Sequence, residues 1–424
     1  MNFKSLCVIG LGYIGLPTAS VFAGNGLHVT GMDVNPNIIK GLKAGKLHIF
    51  EPGLKTRVLD VLNRGNLEIS QTVQPADAFI IAVPTPFYDD KRADMSYVIS
   101  AAESIIPHLK PGNLVILEST SPPRTTVDIV APILEKTGMK AGEDFLLAYS
   151  PERVLPGSIL RELVDNPRVI GGVNRVSSEA GRDLYRLFVK GDIILTDATT
   201  AEMVKLMENT SRDINIAIAN EFSRLAEKFN VDIWEAIGIA NLHPRVEILR
   251  PGVGVGGHCI SVDPWFLVEA APDIAKLIKT ARQVNDGQPF FVAELVDTAC
   301  GGLQGKTIAL LGLSFKPNVD DLRESPAVKL ALQLHERGVA VVAYEPFKTN
   351  HGIAGIEQAQ TLDAALKDAD MILLAVAHDQ FKNLDPQELR EKTRAEVIFD
   401  AVLAWDKTAW EQAGFRFYGL ARKY

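Results

Sequence analysis

The run Leu6-Cys7-Val8-Ile9-Gly10-Leu11-Gly12-Tyr13-Ile14-Gly15 decides the fold. Four consecutive apolar residues read as a short buried strand, and a G-x-G-x-x-G pattern follows at once and opens a helix. Gly10 permits the tight turn, Gly12 lets a pyrophosphate approach the backbone, and Gly15 lets the helix pack closely, with its N-terminus facing the phosphates. Asp33 ends the next strand, 18 residues after Gly15. Its carboxylate suits the two ribose hydroxyls and would repel a 2′-phosphate, so NAD is expected over NADP. Gly10, Gly12, Tyr13, Ile14, Gly15 and Asp33 are the expected cofactor contacts. The bland alternative is a tight strand–helix turn with no ligand.

Working outward, short apolar runs alternate with longer amphipathic ones. Leu6–Ile9, Val29–Met32, Ala78–Val83, Leu114–Glu118 and Phe145–Tyr149 read as strands. Gly15–Asn25, Ser96–Ile106 and Thr125–Thr137 read as helices. This alternation predicts α/β architecture with a parallel, doubly wound sheet. Thr200–Phe229 carries apolar residues at helical spacing without Pro or Gly, Ile233–Ala240 repeats the pattern, and Asp273–Thr298 is helical with a break near Gly287-Gln288-Pro289. Beyond Gly301-Gly302-Leu303-Gln304-Gly305, strands are expected at Thr307–Leu311, Val339–Tyr344, Met371–Ala375 and Val397–Asp400, with helices at Pro326–Arg337 and Thr361–Lys367. The reading is two Rossmann-like doubly wound parallel-sheet domains, 1–198 and 301–424, joined by an all-helical domain, 199–300. The second sheet is not a detectable sequence repeat of the first.

The bulk numbers suit a globular enzyme: 47% hydrophobic, 23% charged, 424 residues. A formal charge of −8 argues against nucleic-acid or anionic-membrane partners. Three cysteines, far apart and without a CxxC, exclude a disulfide framework or zinc site and fit a reducing cytoplasm, so no metal is expected. No apolar run approaches the ~20 residues of a membrane span, and the N-terminus carries no secretion signal. Cys7 and Cys300 sit in apolar runs and read as core.

Chemistry concentrates in Pro251–Pro264. Four glycines (Gly252, Gly254, Gly256, Gly257) precede Cys259, and Asp263 follows four positions later. Such a loop lets backbone and thiol approach a ligand, and a thiolate is a strong nucleophile. A redox cofactor and a nucleophilic thiol together suggest oxidation through a thiohemiacetal and a thioester. Hydroxyl groups at strand ends, Thr85 and Thr120, are placed to touch the cofactor or to cap the following helix, and Thr126 has the same two readings. Lys205 and Asn209 share a helix face at i and i+4, with Arg212 nearby, and Glu152 follows another strand end.

These segments resemble the UDP-glucose/GDP-mannose dehydrogenase family of NAD-dependent sugar-nucleotide 6-dehydrogenases. The matching pieces are GLGYIGLP (10–17), VPTP (83–86), EST (118–120), SPERVLPG (150–157), AEMVKLMEN (201–209), GVGGHCISVDPWF (254–266) and LSFKPNVDDLRESPA (313–327). His243-Pro244-Arg245 with GGHC and VDPWF is closest to the N-acetylhexosamine branch. The resemblance implies a four-electron oxidation of the sugar C6 alcohol to a uronate, with a UDP-N-acetylhexosamine as substrate and surface polysaccharide as the destination. It implies that Cys259 forms the covalent intermediates and that Lys205 and Asn209 face the developing oxyanion. Asp263 and Glu152 would handle water. It assigns substrate contacts to Arg153, Val154, Lys205, Asn209, Arg212, His243, Arg245, Gly256, Phe315, Lys316 and Arg323, the last three toward the diphosphate. It also implies a homodimer in which Arg245 reaches the neighbouring sugar site. Arg124 departs from the family, which often has Gly there; it either adds a cofactor contact or faces solvent. Other readings are a UDP-N-acetylglucosamine or UDP-glucose 6-dehydrogenase, a two-electron hydroxyacid-type dehydrogenase with no use for Cys259, and a nucleotide-binding regulator without turnover.

Overall fold

The computed structural model describes residues 3–348 and 350–422. It divides into two compact units, 1–208 with 269–272, and 209–268 with 273–424. The division falls inside the long helix Ala198–Phe229, between Glu208 and Asn209.

In the first unit, β1 (Ser5–Ile9), β2 (His28–Met32), β3 (Leu67–Ser70), β4 (Ala78–Ile81), β5 (Leu114–Leu117), β6 (Leu146–Tyr149), β7 (Arg168–Gly172) and β8 (Ile193–Asp197) form one sheet. Its order is β3-β2-β1-β4-β5-β6-β7-β8. All neighbours pair in parallel except β6 with β7, which are antiparallel. The central strand β1 is buried on both faces. Leu6 and Val8 enter one core, and Cys7 and Ile9 the other. Burial on both faces explains why this strand reads as a continuous apolar run instead of an alternation. Cys7 is fully buried in its core, as read from its apolar run, and burial pushes its thiol up to about 11.

The expected helix over 125–137 is irregular. A π-helical turn, Thr126–Val130, leads into Ala131–Leu134 and a 3-10 turn, Glu135–Thr137. Pro132 lacks the amide that would continue the i→i−4 ladder, and a π turn accommodates its loss.

In the second unit, β9 (Thr307–Leu311), β10 (Ala340–Tyr344), β11 (Glu357–Gln358), β12 (Met371–Leu374), β13 (Val397–Asp400) and β14 (Arg416–Gly419) form a sheet of order β11-β10-β9-β12-β13-β14. Its paired strands are parallel. The helices Lys276–Asp286 and Gln288–Cys300 meet at Gly287, where the sequence places the break. Val292, Ala293 and Val296 of the latter share one core with Ile308 and Leu310 of β9 and Leu330 of helix Pro326–Glu336. Two sheet strands lie outside the expected set in this unit. The two-residue β11 is too short to show a period, and β14 lies at the edge with alternating exposure.

Candidate active site

The first unit presents the dinucleotide cradle at the carboxyl end of β1. Gly10 has φ +94°, and a Cβ there would lie 2.6 Å from the Ala82 carbonyl oxygen. At Gly15 a Cβ would lie 1.8 Å from the Gly10 carbonyl oxygen. Glycine is therefore required sterically at both positions. Gly12 differs: a Cβ there would meet nothing within 4 Å, so its backbone borders open space. This is the geometry a pyrophosphate needs. Asp33 accepts the amides of Leu11 (3.0 Å) and Asn35 (2.8 Å) and remains only half-buried, with acceptor capacity for ribose hydroxyls. The residues present fit NAD. Tyr13 and Ile14 flank the cradle half-buried, as do Thr85 beyond β4 and Thr120 beyond β5.

Thr126 stands apart from these. It is fully buried, and its amide and hydroxyl both go to Glu202 Oε1, at 2.7 and 2.6 Å. The Arg124 amide donates to Glu202 Oε2 at 2.5 Å. Burial pushes the Glu202 carboxyl up to about 7 against the pull of these donors. Arg124 has φ +74°, and its guanidinium pairs with exposed Asp128, so its side chain faces solvent.

Glu152, just beyond β6, is buried and pairs with Arg168 Nη2 of β7. The opposite edge of Arg168 bonds Ser150 Oγ (3.1 Å) and Glu118 Oε1 (3.4 Å), and its guanidinium lies 4.1 Å over the Tyr185 ring. Burial pushes Glu118 up to about 7, although Arg168 pulls it down; Glu118 Oε2 is buried with no hydrogen-bond partner among the described residues. Two carboxylates thus share one buried guanidinium. Arg153 bonds Glu208 and the Pro167 carbonyl, and Val154 packs at the margin of the core. On the long helix Lys205 is 8% exposed, although most helix lysines are solvated.

The second unit carries the thiol loop. Cys259 is half-buried, and its carbonyl accepts the amides of Val262 (3.0 Å) and Asp263 (2.8 Å), which starts helix Asp263–Ala270. Asp263 is 2% exposed and accepts Asn209 Nδ2 at 2.6 Å. The structure therefore brings Asn209 and Asp263, 54 residues apart, into direct contact. A Cβ at Gly256 would lie 2.7 Å from the Glu324 carbonyl oxygen, and one at Gly257 3.0 Å from the Phe315 ring. The Gly257 amide donates to the Arg323 carbonyl (3.0 Å). The glycines before Cys259 thus let this loop lie against the segment 315–324 that holds Phe315, Lys316 and Arg323. Asp321 grips one guanidinium edge of Arg323, accepting Nε at 2.9 Å and Nη2 at 2.6 Å. Burial opposes ionisation of Asp321, but Arg323 outweighs it and holds the carboxyl below its usual range. Arg212 is exposed on the long helix, and His243 and Arg245 are exposed on the loop after helix Ile233–Ala240.

Sequence reading missed Arg168, Tyr185, Glu345 and His378. A charged residue inside an apolar strand run, as at Arg168, was the available signal.

Residues 4–189 match the UDP-glucose/GDP-mannose dehydrogenase family NAD binding domain, 199–287 its central domain and 309–407 its UDP binding domain. The chain is 47% identical over 423 residues to the UDP-N-acetyl-D-mannosamine dehydrogenase of Methanocaldococcus jannaschii, covering 98% of this chain and 96% of the relative. It is 46% identical over 415 residues to an NDP-N-acetyl-D-galactosaminuronic acid dehydrogenase of Ralstonia nicotianae, covering 96% and 97%. A solved UDP-D-ManNAc dehydrogenase from Pyrococcus horikoshii superposes with TM-score 0.92 at 41% identity, covering 99% of each chain. The dinucleotide cradle, the second sheet and these matches along the whole chain converge: it belongs to the UDP-glucose/GDP-mannose dehydrogenase family and is an NAD-dependent UDP-sugar dehydrogenase.

Proposed function

We propose that the chain oxidises the C6 alcohol of UDP-N-acetyl-D-mannosamine to the uronate, a four-electron reaction. The observation that carries this reading is Cys259 on a glycine loop seated against Phe315, within the segment matched to UDP binding. Similarity to the mannosamine dehydrogenase of M. jannaschii supports the choice of sugar. Bound NAD supplies the electron acceptor for each two-electron step.

The first oxidation turns the alcohol into an aldehyde. The Cys259 thiolate adds to the aldehyde carbon, forming a C–S bond and an oxyanion that takes up a proton. The second oxidation converts this thiohemiacetal to a thioester. Water then adds to the carbonyl, the C–S bond breaks, and carboxylate and thiol leave. Lys205 and Asn209 stabilise oxygen as it gains charge. Asp263, held by Asn209, orients water, and Glu152, held by Arg168, is a second base. Phe315, Lys316 and Arg323 bind the UDP moiety, Arg323 through a fork suited to phosphate. Arg153, Val154, Arg212 and Gly256 complete the substrate contacts.

We also propose a homodimer. The long helix exposes Phe222 (40%), Leu225 (44%) and Phe229 (68%) along an apolar groove that helix Ile233–Ala240 completes with Ile237 and Ala240. Exposed His243 and Arg245 lie on the adjoining loop, suited to reach a second copy's sugar site. Light scattering that returns a monomer at working concentration removes this part.

The test of the reaction is NADH formed per UDP-N-acetyl-D-mannosamine consumed. Two, with a uronate product, is expected; one would indicate release of the aldehyde and remove the covalent mechanism. Cys259→Ala should lose uronate formation by at least about 10³-fold while remaining folded. The similarity to the Ralstonia relative favours a second reading, a UDP-N-acetylgalactosamine substrate. A panel including this sugar, UDP-N-acetylglucosamine and UDP-glucose separates them by kcat/KM.

A further inference from the structure

At the carboxyl end of the second sheet lies a fully buried polar cluster with no place in the reaction. Glu345, the residue after β10, is 2% exposed, and His378, beyond β12, is completely buried. Glu345 Oε2 accepts the amides of Leu313 (2.8 Å) and Ser314 (3.0 Å), and Oε1 accepts the amide of Phe347 (3.0 Å). His378 Nε2 lies 3.1 Å from Glu345 Oε2 and 3.3 Å from Ser314 Oγ. On the opposite side of the ring, Nδ1 accepts the Asn318 amide at 2.9 Å.

These partners set the tautomer. An amide donating to Nδ1 requires that nitrogen to be bare, so Nε2 carries the proton and donates to Glu345. The imidazole therefore joins a strand-end carboxylate to a loop amide, and it is held between the rings of Phe347 and Phe381, at 5.0 and 5.4 Å. Everything it touches on the loop side brackets Phe315 and Lys316. Leu313 and Ser314 are fastened before them, and Asn318 is fastened after them. Ser314 Oγ further donates to the Lys316 carbonyl (2.8 Å). Asn318 has φ +62° and exchanges two hydrogen bonds with Asp379, at 2.8 and 3.1 Å, so the far end of the turn is tied to the same region as His378. Phe315 is in turn the ring against which Gly257 lies.

We propose that His378 and Glu345 are positioning residues for substrate: through Ser314 and Asn318 they hold the 313–318 turn in the shape that presents Phe315 and Lys316 to the UDP moiety. The carboxylate and the imidazole touch no ligand themselves. This inference rests on the assignment of Phe315 and Lys316 to UDP binding.

Two substitutions at one position separate the two sides of the ring. His378→Asn keeps an acceptor where Nδ1 faces Asn318 and loses the donor to Glu345. His378→Gln keeps the donor and loses the acceptor. Titration calorimetry of the full chain with UDP should find His378→Asn within about threefold of wild type and His378→Gln weakened about tenfold, the cost of leaving the part-buried Asn318 amide without its acceptor. Glu345→Gln, with one acceptor oxygen in place of two, should weaken UDP by about three- to tenfold. NAD affinity should be unchanged in all three, and KM for the UDP-sugar should rise more than kcat falls. UDP affinity at wild-type level in folded His378→Gln and Glu345→Gln would overturn the proposal, as would equal losses of UDP and NAD affinity, the mark of a general packing defect. A wild-type protein that does not bind UDP would instead overturn the assignment of Phe315 and Lys316 on which the proposal rests.

Discussion

The two sheets solve the same local problem with opposite consequences. Strands β1 to β6 of the first sheet and the six strands of the second have the same order, and in each the first strand of the sheet runs into a glycine at positive φ, +94° at Gly10 and +89° at Gly312. In each, the next residue is a leucine whose amide is accepted by the carboxylate ending the neighbouring strand. Leu11 gives to Asp33 at 3.0 Å and Leu313 to Glu345 at 2.8 Å. There the likeness stops. Asp33 is half-buried and keeps acceptor capacity toward the open space beside Gly12. Glu345 is closed in by three amides and His378. A helix begins at Gly15 in the first unit, whereas thirteen further residues, 313–325, precede helix Pro326–Glu336 in the second. One strand order thus yields a half-buried carboxylate beside the dinucleotide turn in the first unit and a loop-fastening one in the second.

The largest effect expected from this contrast is at the carboxylates themselves. Glu345→Ala strips the acceptor from two buried amides, a part-buried one and an imidazole and should cost about 3–5 kcal/mol in chemical denaturation. Asp33→Ala should cost about 1 kcal/mol, with its main effect a rise of at least about tenfold in KM for NAD. Equal stability losses would break the comparison.

A smaller effect separates the turns. Gly312→Ala must hold a side chain at positive φ with its Cβ 2.5 Å from Val376 Cβ, and should lose about 2–3 kcal/mol. Gly12→Ala meets no protein atom, so its melting temperature should match wild type while NAD affinity falls.

A last effect, spread over several pH units, sharpens the electrostatics. Glu202, in the first unit, has its carboxyl pushed up by burial to about 7, above its usual 4.5. Its stabilising contribution is complete below pH 4.5 and is lost as pH rises through about 7. In Glu345 burial pushes the same way, but hydrogen bonds from His378 and the Leu313 amide outweigh it and hold the carboxyl below 4.5. Its contribution is complete above that value and is lost as pH falls below it. The melting temperature of wild type relative to Glu202→Gln should therefore fall between pH 5 and 8, by the equivalent of at most about 3 kcal/mol. Relative to Glu345→Gln it should fall only in acid. A flat difference for Glu202 across that range would show a carboxyl that stays ionised.

The strands of both sheets were legible where they are buried on both faces, because continuous apolar runs such as Leu6–Ile9 and Ile308–Leu311 carry their own signal. Edge strands were not. Those of the first unit, β3 and β8, include exposed or half-exposed residues, β7 beside β8 carries the charged Arg168, and β11 is two residues long. The cradle glycines were legible because steric demand restricts the residue type at single positions. The buried side-chain pairings were not: Arg168 meets Glu118 across 50 residues and Glu202 meets Thr126 across 76.

By itself, then, the sequence determined the two α/β regions, the dinucleotide turn with its choice of NAD, and the family, because periodicity, glycine spacing and motif order are written locally along the chain. Only the tertiary structure decided that Thr126 is committed to Glu202, that Lys205 is buried, that Asn209 holds Asp263, and that Glu345 and His378 fasten the turn bearing Phe315. Those facts depend on which donor meets which acceptor after residues far apart in the chain are brought together and water is excluded, and no spacing rule encodes that pairing.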